Sequence, residues 1–177
     1  MTAAEYIELP SDGRWRELID GVVVVNEPRV DHGLVFMSLS YALLHWINQG
    51  LNRGYLLPPV DVDIDEQNVF APDISWVSHL RSARERLPGL PGICIEIRSP
   101  STWRYDVGTK LVHYRDAGLA ELWLVDSVAE TVIVHWRSRP GVLDFDVSVE
   151  LHGDDKLTSP QLPGFALRVA DIFENIP

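Results

Sequence analysis

Two acidic residues stand at the margins of apolar runs. Asp73 opens "DISWVS" directly after Pro72, and Glu96 lies inside "GICIEIR", two residues before Arg98. A carboxylate within a Val/Ile-rich run is costly to bury unless something positive meets it. A divalent cation is one such partner, since Mg²⁺ and Mn²⁺ take hard oxygen ligands and usually keep several waters. An ion held by two carboxylates can lower the pKa of a bound water and stabilise charge on a phosphoryl oxygen during displacement. A lysine nearby, such as Lys110, would orient that water or offset negative charge in the transition state. The guanidinium of Arg98 stays protonated and cannot act as a base, but its rigid fork suits a phosphate.

The elements that must position these groups can be read from periodicity. In "GICIEIR", strand alternation puts Ile93, Ile95 and Ile97 on one side and Cys94, Glu96 and Arg98 on the other. "RWRELIDG" and "VVVVNE" read as paired strands around an Asp20-Gly21 turn, preceded by a short helix over residues 2–8. Helical spacing of Leu34, Val35, Met37, Leu39, Ala42, Leu43, Trp46 and Ile47 predicts a helix over residues 31–49, with Asp31 as its cap and Gly50 after it. "YLLPPVDVDIDE" reads as one strand with Val60, Val62 and Ile64 on one side and Asp61, Asp63 and Asp65 on the other. The arginine-rich segment 81–91 has no period and is expected to be a loop. A second helix is expected over residues 105–117, ended by Gly118, with Asp106, Lys110 and Tyr114 along one side. "ELWLVDS", "TVIVHWR" and "VLDFDVSVEL" follow as strands, and "FALRVADIF" as a closing strand and short helix. The sum is an α/β chain with a central mixed β-sheet and two main helices, sized for a single domain over residues 1–177.

Composition narrows the function classes. Lys and Arg number 15 against 26 Asp and Glu, a net charge of -11, which excludes nucleic-acid binding driven by global charge. Residues 79–115 are locally basic, with Arg81, Arg84, Arg86, Arg98, Arg104, Lys110 and Arg115 outnumbering the acids. The lone cysteine, Cys94, sits in an apolar run as a small buried thiol. The N-terminal "MTAAEYIELPSDG" lacks an export signal, and no apolar run approaches the roughly 20 residues that span a bilayer, so a cytoplasmic protein without membrane contact is expected. Only two lysines, Lys110 and Lys156, occur in the chain, so a lysine at position 110 goes against its preference for arginine.

The Pro72-Asp73 pair followed by Glu96-x-Arg98 resembles the PD-(D/E)xK nuclease signature. The wider series "ELIDG", "APDISWV", "EIRSPSTWRYDVGTKLVHYRDAGLAELWLVD" and "SPQLPGFALRVADIF" resembles the Uma-type putative restriction endonuclease family of bacteria, over about residues 17–173. The resemblance implies a restriction-endonuclease-like core, a mixed sheet flanked by helices, and Mg²⁺- or Mn²⁺-dependent hydrolysis of DNA phosphodiester bonds. By the family pattern Asp73 and Glu96 carry over as metal ligands, with the carbonyl of Ile97 beside them. Lys110 carries over as a lysine moved from its usual strand position to a helix, and Glu17 as a further acid. Arg98 departs from the pattern, which calls for lysine there, and is read as holding the scissile phosphate.

Each residue also has a plainer reading. Asp73 can simply open a strand, Glu96 and Arg98 can pair with each other, Asp106 and Lys110 can be a helix surface pair, and Glu17 can balance Arg14 or Arg16. His32 either approaches the site, faces solvent or caps its helix. Trp103 and Tyr105 are the aromatic residues best placed in sequence to stack on a base. Asp61, Asp63 and Asp65 read as a solvated stripe, since the sixth-position glycine of a calcium loop is missing. The competing functions are a catalytically inactive nuclease-like module for nucleic-acid or protein binding, and a dimerising partner that uses "ELWLVD" and "TVIVHW" as an apolar interface. A homodimer would also let two sites address two strands.

Overall fold

The computed structural model describes residues 1–27, 29–80, 87 and 89–176. The chain opens with α1 (Ala3–Ile7), whose capping box joins Thr2 and Glu5. Strands β1 (Trp15–Ile19) and β2 (Val22–Asn26) pair antiparallel from Trp15 opposite Asn26 to Ile19 opposite Val22. Asp20 (φ 49°) and Gly21 (φ 74°) turn this hairpin in the left-handed region, which matches the twist of the two strands. Helix α2 (Val30–Asn48) follows. It starts one residue before the expected cap, and Asp31 lies in its first turn.

The expected strand through "YLLPPVDVDIDE" is in fact two strands in two sheets. Pro58 and Pro59 supply no N–H to a ladder; β3 (Tyr55–Leu57) ends before them and β4 (Val62–Asp65) begins after them. A hairpin that the periodicity did not reveal then joins β4 to β5 (Asn68–Phe70). The strand order β2-β1-β5-β4 forms a four-stranded sheet separate from the main one. Asp63 and Asp65 are exposed along it, and Asp65 accepts hydrogen bonds from Asn68 and from the Gln67 N–H.

The main sheet has six strands in the order β10-β9-β8-β7-β6-β3, with β6 (Ile74–Val77), β7 (Ile93–Ile97), β8 (Glu121–Asp126), β9 (Thr131–Trp136) and β10 (Val147–His152). It is mixed: β7 and β8 run parallel and the other neighbours antiparallel. The parallel pair needs a crossover, which is the helical segment of α3 (Trp103–Tyr105), one π-helical turn (Asp106–Lys110) and α4 (Leu111–Ala117). Gly118, at φ 94°, ends it. Strand β10 is shorter than the predicted "VLDFDVSVEL". The segment 81–86 and residue 88, most of the expected loop, lie outside the described residues, while Leu87 bridges to Val62.

Two cores sandwich the main sheet. Ile93, Ile95, Ile97, Trp123 and Val125 pack against Val35, Leu39, Leu43 and Trp46 of α2 and against Val169, Ile172 and Phe173 of α5 (Val169–Phe173). On the opposite face Cys94, Leu122 and Leu124 meet Tyr114, Leu119, Ile19 and Phe70, so the period-two reading of β7 holds. Leu122 to Val125 are buried and β9 lies between β8 and β10, so "ELWLVD" and "TVIVHW" are interior strands of the main sheet. Among the described residues no helix is long and apolar enough to cross a membrane.

The C-terminal segment, with β11 (Lys156–Leu157) paired to β12 (Leu167–Arg168), is pinned by a buried acid. Glu121 accepts from Trp123 Nε1 at 2.6 Å and from Ser159 Oγ at 2.7 Å. Burial pushes its carboxyl up to about 7, against the hydrogen bonds from Ser159 and Trp123. A carboxyl raised above its unfolded value contributes stability that is present below pH 4.5 and is lost as pH rises through 7. Urea unfolding is therefore expected to show Glu121→Gln losing less stability than the parent between pH 5 and pH 8, by about 3 kcal/mol.

Candidate active site

The site is built where three separate stretches meet. The Ile74–Ile95 pairing of β6 and β7, carried one residue further, brings Asp73 opposite Glu96. Asp73 Oδ2 accepts the Ile97 N–H at 2.7 Å, which fixes its carboxylate over the end of β7. Glu17 reaches in from β1 of the smaller sheet, where its Oε1 accepts the Ala71 N–H at 2.8 Å. Asp106 and Lys110 come from the two ends of the π turn. π turns inside helices recur at functional sites.

Lys110 is the hub. It is 1% exposed, and its Nζ lies 2.8 Å from Glu17 Oε1, 2.8 Å from Glu96 Oε1 and 3.0 Å from Asp106 Oδ1. The ammonium also sits 5.4 Å from the centroid of the Phe70 ring, a cation–π distance. Tyr114, one helical turn on, donates its hydroxyl to Glu96 Oε1 at 2.6 Å. On the outer side His32 Nε2 approaches Asp73 Oδ1 to 3.0 Å. The two residues line a cavity of about 240 Å³ together with Glu17, Ala71, Gly33, Phe36, Pro59, Trp15, Arg16 and Asn26.

Charge shapes the proton affinities. Burial raises Glu96 well above the ordinary carboxylate range, assisted by Asp106, Glu17 and Asp73 and opposed by Lys110. Burial likewise lifts Asp106 to about 6 despite Lys110. Desolvation alone would lower Lys110, but Asp106, Glu17 and Glu96 together hold its ammonium well above normal. Burial lowers and Asp73 raises His32, and the net direction is up. Burial, with Glu96, raises the Tyr114 hydroxyl.

With this geometry in hand, the comparisons decide the family. The model of the Uma2 family, described as "Putative restriction endonuclease", matches residues 3–170. The chain belongs to the Uma2 family. A search of curated proteins returns no match. Among solved structures, the chain is similar to the crystal structure of a putative nuclease belonging to DUF820 from Anabaena variabilis ATCC 29413, at 19% identity and a TM-score of 0.80, with 98% of both chains covered. The two proteins share the fold.

In this Uma2 protein the structure brings together Asp73, Glu96, the Ile97 peptide, Lys110 and Glu17. The plainer readings of Asp106, Lys110 and Glu17 fail on burial and partners: Asp106 and Lys110 are buried, Glu17 pairs with Lys110, and Arg14 and Arg16 turn to Asp12. Lys110 is thereby removed from the expected surface basic patch. Arg98 stands apart from the cluster. Its Nη1 binds Asp126 Oδ2 at 2.7 Å, and its guanidinium lies 5.7 Å from the Trp103 ring centroid. Trp103 and Tyr105 pack in part against the core beside α4. Sequence reasoning placed Tyr114 on the right side of the helix but gave it no role; its partner Glu96 was the missing information. Asn26, at the cavity wall, carried no signal.

Among the described residues no three His, Cys, Asp or Glu side chains form a ready metal cage; three carboxylates converge instead on Lys110. The donor chemistry nonetheless fits a hard cation. Four buried carboxylates, Glu17, Asp73, Glu96 and Asp106, face one ammonium and one imidazole, which leaves a negative surplus with Asp73 at the cavity wall.

Removing the hub should strand its partners. Breaking a buried ion pair from one side costs about 3–5 kcal/mol, and Lys110→Met is expected to lose that much at pH 8. Without the ammonium, Glu96 and Asp106 rise further; a raised carboxyl destabilises as pH climbs through its folded value, so the loss should shrink toward pH 5. Urea titrations at the two pH values check both the size and the sign.

Proposed function

We propose that this Uma2 protein is a Mg²⁺- or Mn²⁺-dependent endonuclease that hydrolyses phosphodiester bonds of DNA. The observation that carries the reading is the juxtaposition of Asp73 and Glu96 across the ends of β6 and β7, buried, with excess negative charge and with Asp73 open to a cavity. Asp73, Glu96 and the carbonyl of Ile97 would hold the ion. When bound, such an ion lowers the pKa of a water and stabilises charge on a phosphoryl oxygen.

The remaining roles belong to the chain itself. Lys110 stays an ammonium under its three carboxylates, so it serves as a charge anchor that positions Glu96 and Glu17 and does not abstract a proton. His32 is the titratable group that faces the cavity beside Asp73, and its imidazole is suited to carry the proton of an attacking water. Arg98, held at the end of β7 by Asp126 and about a third exposed, is the guanidinium we assign to the scissile phosphate. A two-fold homodimer would let two such sites address the two strands.

One observation favours a second reading, a nuclease-like module that binds nucleic acid or protein without chemistry: Lys110 occupies the point where three carboxylates converge. Calorimetric titration of Mn²⁺ into the wild type and Asp73→Ala separates the two, paired with plasmid nicking. The nuclease reading expects binding and nicking in the wild type and a loss of at least 100-fold in the rate for the variant, with its circular dichroism unchanged. Equal nicking by both proteins would sink the assignment of Asp73. Absence of both binding and nicking in the wild type would favour the module.

A further inference from the structure

The face of the β1–β2 hairpin that carries Glu17 is graded. Ile19 lies in the core, Glu17 in the ion cluster and Trp15 at the mouth of the cavity. These residues alternate along one strand, so each is about 6.6 Å from the next. Across the ladder Val24 stands opposite Glu17 and Asn26 opposite Trp15, and paired residues project to the same face. Trp15 and Asn26 therefore form one wall of the cavity, with Phe36 and Pro59 as further apolar lining and Glu17, His32 and Asp73 on the side of the ion cluster.

Two details of this wall are unexplained by folding. The Trp15 side chain remains 55% exposed although an indole is costly to leave in water. Among the described residues, Asn26 Oδ1 is buried with no hydrogen-bond partner, and native structures rarely leave a buried acceptor without a donor. A flat apolar body that carries an N–H group would satisfy both, with the Asn26 amide turning about its side-chain torsions to bring Oδ1 to the cavity. An anionic ligand is disfavoured by the neighbouring carboxylates, whereas a neutral ring is not.

We propose that this cavity is a nucleobase subsite, which rests on the nuclease reading above. An unstacked base of the nucleotide next to the scissile phosphate lies against Trp15 and Phe36 and donates its exocyclic amino group to Asn26 Oδ1. Stacking on aromatic side chains is how unpaired bases are held in general; Trp15 lies about 6.6 Å along β1 from Glu17, and Asp73 lines the same cavity. Adenine, cytosine and guanine offer Asn26 Oδ1 an exocyclic amino donor, whereas thymine offers only its ring N3–H between two carbonyl oxygens that repel the acceptor, so the subsite favours the first three.

The test uses neutral deoxynucleosides, with EDTA present so that no cleavage occurs. Deoxyadenosine, deoxycytidine, deoxyguanosine and thymidine are titrated one at a time into ¹⁵N-labelled full-length protein, reading the Trp15 indole and Asn26 amide signals. At least one amino-bearing nucleoside is expected to shift both signals saturably, with thymidine at least five-fold weaker. Asn26→Leu should weaken binding at least ten-fold while the rest of its spectrum stays in place, and Trp15→Ala, at an exposed position, should do the same. No saturable shift with any nucleoside, or equal affinity in the wild type and both variants, overturns the subsite. Plasmid nicking with Mn²⁺ is scored separately: nicking without nucleoside binding rejects the subsite and leaves the nuclease, and nucleoside binding without nicking keeps the pocket while removing the catalysis.

Discussion

A single buried ammonium holds this architecture together. Lys110 touches Glu17 on the small sheet, Glu96 on the large one and Asp106 on its own π turn, so both sheets and the crossover share one charge. Desolvating these groups is expensive, and their mutual attraction repays it only when geometry and hydrogen bonds are good. The Ala71 N–H on Glu17 and the Tyr114 hydroxyl on Glu96 supply those bonds. The docking of the small sheet against the helical crossover depends on the same contacts, reinforced at the rim by His113 between Asp20 and Asp65.

The cluster is not neutral, and that imbalance links fold to function. One ammonium cannot compensate Glu17, Glu96, Asp106 and the nearby Asp73, and burial, with the neighbouring carboxylates adding to it, lifts the proton affinity of Glu96 and Asp106. On the proposed metal-dependent reading, such a site would exchange protons for a cation, because a divalent ion and carboxyl protons compete for the same oxygens. Asp73 is the member through which such an exchange reaches the outside, since it lines the cavity with His32. A group used only for stability would gain nothing from such a surplus, and perturbed titrations at a cavity are more common where chemistry is done.

Much of this was legible in the sequence, for identifiable reasons. The alternation in "GICIEIR" separated the core face of β7 from the Glu96 face because a strand has a fixed period of two. The Asp20-Gly21 turn announced its hairpin because few residues accept a left-handed backbone. The β4–β5 hairpin escaped notice because its turn, Glu66-Gln67, has neither Gly nor Asn, and because Pro58-Pro59 interrupted what looked like one alternating stripe. The π turn has no pattern of its own: it adds a residue to a helix without altering which types are apolar. Asp106 and Lys110 were therefore read correctly as neighbours, while their burial depended on Glu17, 93 residues away, a contact that no local period encodes.

At position 98, where the PD-(D/E)xK resemblance calls for lysine, the geometry suits arginine. A side chain there leaves the end of β7, and a guanidinium is long and planar enough to bind Asp126 on the adjacent strand while lying near Trp103. The cationic position within the cluster is then open to a residue arriving from the crossover helix. Lys110 meets that need, because a compact ammonium with three donors can serve three carboxylates converging from different directions, which a flat fork cannot do. In a chain that otherwise chooses arginine almost throughout, a lysine at this point is explained by the shape of the space it fills.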